Sequence, residues 1–203
     1  EVLRHVVFDY GSDYYVAVPL DAPRRATVHH DSFHPQRPAP VRATGVLMIH
    51  VWIADAEGAR VGTLEEAHRV VRDHGGNVWI DFEGDDEAVV REALEPYGVH
   101  PLVVEDLVMQ VNRPKLDNYN EYAYVVVHSA RWENSEDRPT LREVDIVLGE
   151  HWIVTYHDVA TRSVEAANQI LPKRPALLAK GPSYLMHYVL DVLVDHYLQP
   201  WLL

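Results

Sequence analysis

The run Val46-Leu47-Met48-Ile49-His50-Val51-Trp52-Ile53 is almost continuously apolar, broken only by His50. Such a run suits a strand buried on both faces, and a strand of that kind needs packed layers above and below it. Asp55, Glu57 and Gly58 then supply a turn. Thr63 followed by Glu66 matches a helix capping box, and Ala67, Val70 and Val71 keep helical spacing as far as His74-Gly75-Gly76. Asn77-Val78-Trp79-Ile80-Asp81-Phe82 reads as the next strand. Asp85 and Asp86 open a helix with Val89, Val90, Ala93 and Leu94 on one face, ending near Gly98.

The second half changes character. Residues 122–129 and 141–148 are strand-like, and a third run, 152–156, follows after only Gly149-Glu150-His151, which predicts a hairpin. Two helical segments close the chain, at 162–171 and from Tyr184 onward. The expectation is an α/β fold: an α/β/α sandwich whose sheet is mixed and partly antiparallel. Residues 1–44 are poorly patterned and are assigned to the same domain as 45–183. His29, His30 and His34 sit there in a Pro- and Arg-rich stretch that reads as a loop without a carboxylate partner.

The balance of charge narrows the function. Eighteen Lys plus Arg stand against 31 Asp plus Glu, a formal net charge of −13. That repels phosphate backbones and anionic headgroups and is compatible with cation binding, so nucleic acid is not an expected partner. The absence of Cys removes disulfides, thiolate nucleophiles and Cys-based metal sites. No run of about 20 apolar residues offers a membrane span. The motifs GxSxG, HExxH, Walker A and GxGxxG are also missing, so the chain is not expected to be an enzyme. The remaining catalytic constellations would be Glu105/Asp106, or Asp145 with His151 and His157 along the hairpin.

Residues 98–115, GVHPLVVEDLVMQVNRPK, carry the most information. Pro101 sits where a helix can begin, and His100 before it is placed to cap or pack locally. Leu102, Val103 and Leu107 are expected to face inward. Glu105 and Asp106 then project about 100° apart near the helix end, where the backbone dipole disfavours acids. Oxygen-rich pairs suit hard cations such as Mg²⁺, which keeps most of its waters. The Asn112-Arg113-Pro114-Lys115 segment reads as a connector in which Arg113 could meet a nearby acid.

This segment resembles the glycine–x–histidine–proline–leucine–x–x–glutamate–aspartate and arginine–proline–lysine motifs of the CorA family of magnesium and cobalt transporters. Asn118-Tyr119-Asn120-Glu121-Tyr122 is similar to that family's following strand. Gly181-Pro182-Ser183-Tyr184-Leu185 and the run 190–197 resemble the head of its long stalk helix. The resemblance extends over residues 78–198 in consistent order. It implies a cytoplasmic domain on the inner face of the cell membrane, ending at 184–203 in the start of a stalk helix that membrane helices would follow. It further implies a homopentamer that senses intracellular Mg²⁺ and gates a pore for divalent cations. Asp106 would be the principal metal-binding carboxylate, Glu105 an auxiliary one, and Asp191 a third on the stalk helix. Co²⁺ or Zn²⁺ could replace Mg²⁺, and a zinc transporter of the ZntB type is the alternative reading.

On the last helix, Tyr184, Tyr188, Asp191, Asp195 and Leu198 run along one side, and Leu185, Val189, Val192 and Val194 fill another. Apolar residues nearly all round predict burial against more than one neighbour. His187 and His196 on this helix are read as structural or surface residues. The ending on Trp201-Leu202-Leu203 looks cut rather than finished.

Overall fold

The computed structural model describes residues 47–84, 86–110, 112–131 and 140–198, and all of them lie in the compact unit 42–203. The assignments made above for residues 1–44 and the triplet His29, His30 and His34 lie outside the described residues.

Seven strands form one sheet: β1 (Met48–Asp55), β2 (Gly58–Val61), β3 (Asn77–Glu83), β4 (Lys115–Asn118), β5 (Tyr122–Arg131), β6 (Thr140–Gly149) and β7 (Trp152–His157). Their spatial order is β2-β1-β3-β7-β6-β5-β4. β3 and β7 run parallel at the centre, and every other neighbouring pair is antiparallel. All of β7 is buried, as is β3 apart from its end residues, so the parallel pair is covered on both faces. β1 departs from the expected uniform burial. Only Val51 to Ala54 are fully buried, and Met48 and His50 are exposed at the strand's start. The expected hairpin joins β6 to β7, pairing Leu148 with Ile153. A side chain at Gly149 would run into the Trp152 indole, so the turn requires glycine there.

Successive residues of a strand point to opposite faces, and the core divides accordingly. On one face, Ile53, Ile80, Phe82 and Val154 meet helices α1 (Leu64–Arg72), α2 (Glu87–Leu94) and α3 (Pro101–Met109) through Ala67, Leu94 and Leu107. On the other, Trp52, Trp79, Ile146 and Ile153 meet α4 (Arg162–Ile170), α5 (Ala176–Ala179) and α6 (Pro182–Leu198) through Ala167, Leu178, Leu185 and Val189. The result is an α/β/α sandwich with a mixed sheet. Full burial of a large apolar side chain is worth roughly 1.5–3 kcal/mol, so each face supplies a substantial share of the driving force.

The helix ends follow the local chemistry of the sequence. Thr63 and Glu66 form a reciprocal capping box on α1. The Asp86 side chain accepts from the Val89 amide at the start of α2. A 3-10 turn, Glu95–Tyr97, ends on Gly98 in the left-handed region (φ 68°), which lets the chain turn into α3. α6 is more one-sided than its composition suggests. Leu185, Met186, Val189 and Leu193 are buried, whereas Tyr184, Asp191 and Val194 are exposed. The correction at Val194 follows from the helical period, which carries it off the stripe that meets the sheet.

Candidate functional site

α3 is built to present acids outward. His100 Nδ1 accepts from the Leu102 amide at 3.2 Å, while its own amide donates to the Tyr122 hydroxyl at 3.0 Å. Pro101 follows at the first helical position. Val103, Val104 and Leu107 are buried, but Leu102 is 62% exposed, contrary to its expected inward orientation. The reason is geometric: Leu102 lies one turn below Asp106, so both share the outer face, and Val104 takes the inward place. Glu105 is exposed and Asp106 partly so.

Asp106 does not stand alone. Lys115 Nζ lies 2.8 Å from Asp106 Oδ2 and 3.4 Å from Asp117 Oδ2, and it sits 4.7 Å from the Tyr124 ring centroid. Burial works against the Lys115 charge, but the two carboxylates more than offset it and the ammonium pKa is raised. The lysine supplies the positive charge that the end of α3 lacks. The ion pair at this connector therefore falls to Lys115, whereas Arg113 is exposed.

The turn after α3 is fastened from below by two acids of β6. Gln110, in the left-handed region at φ 48°, donates from Nε2 to Asp145 Oδ2 at 2.8 Å, and its Oε1 accepts from the Asp158 amide. The Asn112 side-chain amide donates to both the Asp106 carbonyl and Glu143 Oε1, each at 2.9 Å. The Tyr124 hydroxyl donates to Asp145 Oδ1 at 2.6 Å. Burial, reinforced by the nearby Glu143 charge, pushes the Asp145 carboxyl well above the ordinary carboxylate range. Burial likewise raises the Tyr124 phenol far above its usual value. The roles of Lys115, Gln110, Asn112 and Glu143 are not visible in the sequence because their partners lie across a loop or on another strand, where no periodicity links them.

The proposed catalytic group of Asp145, His151 and His157 does not assemble. Asp145 faces α3, whereas His157 faces α4, on the other side of the sheet, where its Nε2 lies 3.1 Å from Asp81 Oδ1. His151 belongs to the turn before β7 and contacts Asn77 Oδ1. The Asp81–His157 pair forms the floor of a cleft of about 460 Å³ beside α4. There Thr155 donates to Asp81, and Trp79 donates to Thr155.

Asp191 is exposed on α6, so Asp106 and Asp191 stand on opposite layers of the sandwich and do not meet within one chain. Among the described residues, no group of three or more His, Asp or Glu side chains is placed to hold a metal ion. The oxygen chemistry at Glu105 and Asp106 fits Mg²⁺, which is held by one or two carboxylates and completes its shell with water. His187 is exposed, and the side chain of His196 lies outside the described residues.

Residues 74–201 match the family model for CorA-like Mg²⁺ transporter proteins. The chain belongs to the CorA-like Mg²⁺ transporter family. The match includes α3, the turn behind it and α6. A putative metal ion transporter, YfjQ of Bacillus subtilis, is 34% identical over 119 residues, covering 59% of this chain and 36% of that protein. The cobalt/magnesium transport protein CorA of Thermotoga maritima is 25% identical over 128 residues, covering 62% and 36%. This CorA-like chain thus spans about a third of the length of the curated relatives it matches.

Among solved structures, the soluble domain of CorA from Methanocaldococcus jannaschii aligns with a TM-score of 0.55 at 13% identity, over 75% of this chain and 58% of that one. The ZntB cytoplasmic domain from Vibrio parahaemolyticus aligns with a TM-score of 0.58 at 15% identity, over 77% and 62%. At such identities the likeness establishes the fold that CorA and ZntB domains share. No helix among the described residues is long and apolar enough to cross a membrane.

Proposed function

We propose that this chain is the cytoplasmic regulatory domain of a CorA-type divalent-cation channel, and that it senses Mg²⁺ through carboxylates contributed by neighbouring copies. Asp106 is the principal ligand, Glu105 an auxiliary one and Asp191 a ligand from the adjoining copy. The observation that carries this reading is the placement of Asp106 and Asp191, both accessible, on opposite layers of one sandwich. Two such acids can share an ion only when different copies bring them together.

The ion, when bound, supplies the positive charge that offsets repulsion between facing carboxylates. Lys115 performs part of that neutralisation within each copy and holds Asp106 in place. Gln110 and Asn112, anchored on Asp145 and Glu143, fix the helix end from which Asp106 projects. Without the shared ion the facing acids favour separation of the copies, so the ion biases a two-state arrangement. The assembly in the full-length protein is a homopentamer at the inner face of the cell membrane, and the cation that it conducts is Mg²⁺ or Co²⁺.

Thermal unfolding in chelator, Mg²⁺, Co²⁺ and Zn²⁺ tests the assignment. An ion held at ten times its dissociation constant stabilises the fold by about 1.4 kcal/mol, a shift of roughly 3–6 °C for a chain of this size. The expected result is a shift with Mg²⁺ that disappears in Asp106→Ala. A shift confined to Zn²⁺ would instead favour a ZntB-type zinc transporter.

A further inference from the structure

Two histidines meet away from α3, where the turn after α1 approaches the β6–β7 turn. The rings of His74 and His151 approach edge to face, with centroids 5.5 Å apart. They line an open cavity of about 260 Å³ together with Asn77, Glu150 and Lys180. We propose that His74 and His151 form a two-imidazole binding site for a borderline transition-metal ion such as Zn²⁺, with water and the exposed Glu150 carboxylate completing the coordination.

The hydrogen bonds decide which nitrogen of His151 is free. Asn77 Nδ2 donates to the carbonyls of Leu178 and Ala179, at 3.0 and 3.1 Å. Carbonyls only accept, so the orientation of the Asn77 amide is fixed and its Oδ1 must be the acceptor facing His151 Nδ1, 3.2 Å away. His151 therefore carries a proton on Nδ1, and in the neutral ring the lone pair is on Nε2. This is the arrangement by which metal-ligating histidines are oriented: one nitrogen donates to a fixed oxygen and the other is presented to the ion.

The surroundings of Nε2 point the same way. Glu150 Oε1 lies 3.9 Å from it, so a nitrogen lone pair and a carboxylate oxygen face each other. A proton on Nε2 makes this contact an ion pair, and a metal ion bound there would take that proton's place. The Glu150 side chain is 89% exposed and free to close in. His74 takes the left-handed position just past α1, where the Gly75 amide donates back to the Val70 carbonyl at 2.9 Å, and its ring is exposed to solvent. Among the described residues no third protein ligand is already in place, so water must fill the remaining positions. Imidazole donors favour Zn²⁺, Ni²⁺ or Cu²⁺ over Mg²⁺, which distinguishes this site chemically from the carboxylates of α3.

Zn²⁺ titration of the 203-residue chain by calorimetry, with His74→Asn and His151→Asn variants, tests the proposal. Asn tolerates the left-handed backbone at position 74, so the fold is kept while the imidazole is lost. Each substitution is expected to weaken Zn²⁺ binding at least about tenfold, the lower bound for disturbing even an outer partner of a metal ligand. The variant with His29, His30 and His34 all replaced by Ala is expected to bind Zn²⁺ as before. In the unsubstituted chain, side-chain nitrogen NMR should show the His74 and His151 signals moving together on Zn²⁺ addition and staying still with Mg²⁺. Unchanged affinity in both single variants, or loss of binding in the triple variant instead, would overturn the proposal. Because Asp106 is untouched, a failure here leaves the Mg²⁺ reading standing, and a failure at Asp106 leaves this site standing.

Discussion

Asp81 and Asp145 are both buried aspartates on neighbouring parts of one sheet, yet the two faces treat them differently. On the α4 face, Asp81 is 1% exposed and meets the His157 imidazole. His157 Nδ1 also faces the Val159 carbonyl at 2.9 Å, so both ring nitrogens meet acceptors, an arrangement that favours the protonated ring. Burial alone would lower the His157 pKa, but Asp81 and the carbonyl more than offset it and the net shift is upward. On the α3 face, Asp145 finds only neutral donors, Tyr124 and Gln110, with the Glu143 charge close by. Burial therefore pushes its carboxyl toward the neutral form. The two aspartates are about equally buried and differ in their partners.

The largest effect should come from breaking the charged pair. Asp81→Ala leaves a buried imidazolium without its counter-ion and is expected to cost about 3–5 kcal/mol in urea unfolding below pH 6.5, the ordinary histidine value. A loss under about 1 kcal/mol would mean that the two faces are electrostatically alike. Asp145→Asn, by contrast, removes an ionisable group whose charged form burial disfavours. It is expected to raise stability at pH 7, because burying a carboxyl whose unfolded form is charged there costs stability.

The pH dependence sharpens the contrast further. Both groups have raised folded-state pKa values, so each contributes stability that is complete below its unfolded pKa and is lost as pH rises through its folded pKa. For Asp145 the decline begins near 3.8, and for His157 near 6.5. Unfolding free energies measured from pH 3 to 9 should therefore lose the lower part of the decline in Asp145→Asn and the upper part in His157→Gln. The smallest effect is expected at the surface. Lys115→Met removes a partly exposed ion pair and should cost no more than about 1 kcal/mol.

Much of the architecture was legible in the sequence because its determinants are local. The Thr63/Glu66 capping box, the Pro101 start and the Gly149 turn each depend on residues within a few positions of one another. Pairing across the sheet was less visible. That β3 and β7 run parallel depends on Val78 finding Trp152, and the Asp81–His157 pair spans 76 positions. The candidate site divides in the same way. Glu105 and Asp106 announce themselves as adjacent acids, but the lysine that holds Asp106 and the β6 acids that anchor its turn come from separate elements. Leu102 was misplaced because a short helix with four apolar residues in its first turn and a half allows more than one inward face, and only the sheet behind it chooses.

The central claim, that Mg²⁺ is held between copies by Asp106 and Asp191, is tested most directly by sedimentation velocity in MgCl₂ and in chelator. The unsubstituted chain, Asp106→Asn and Asp191→Asn should be run side by side. The account predicts faster sedimentation with Mg²⁺ for the unsubstituted chain and loss of that difference in both variants. Sedimentation that ignores Mg²⁺, or a Mg²⁺-driven assembly that survives both substitutions, would contradict it.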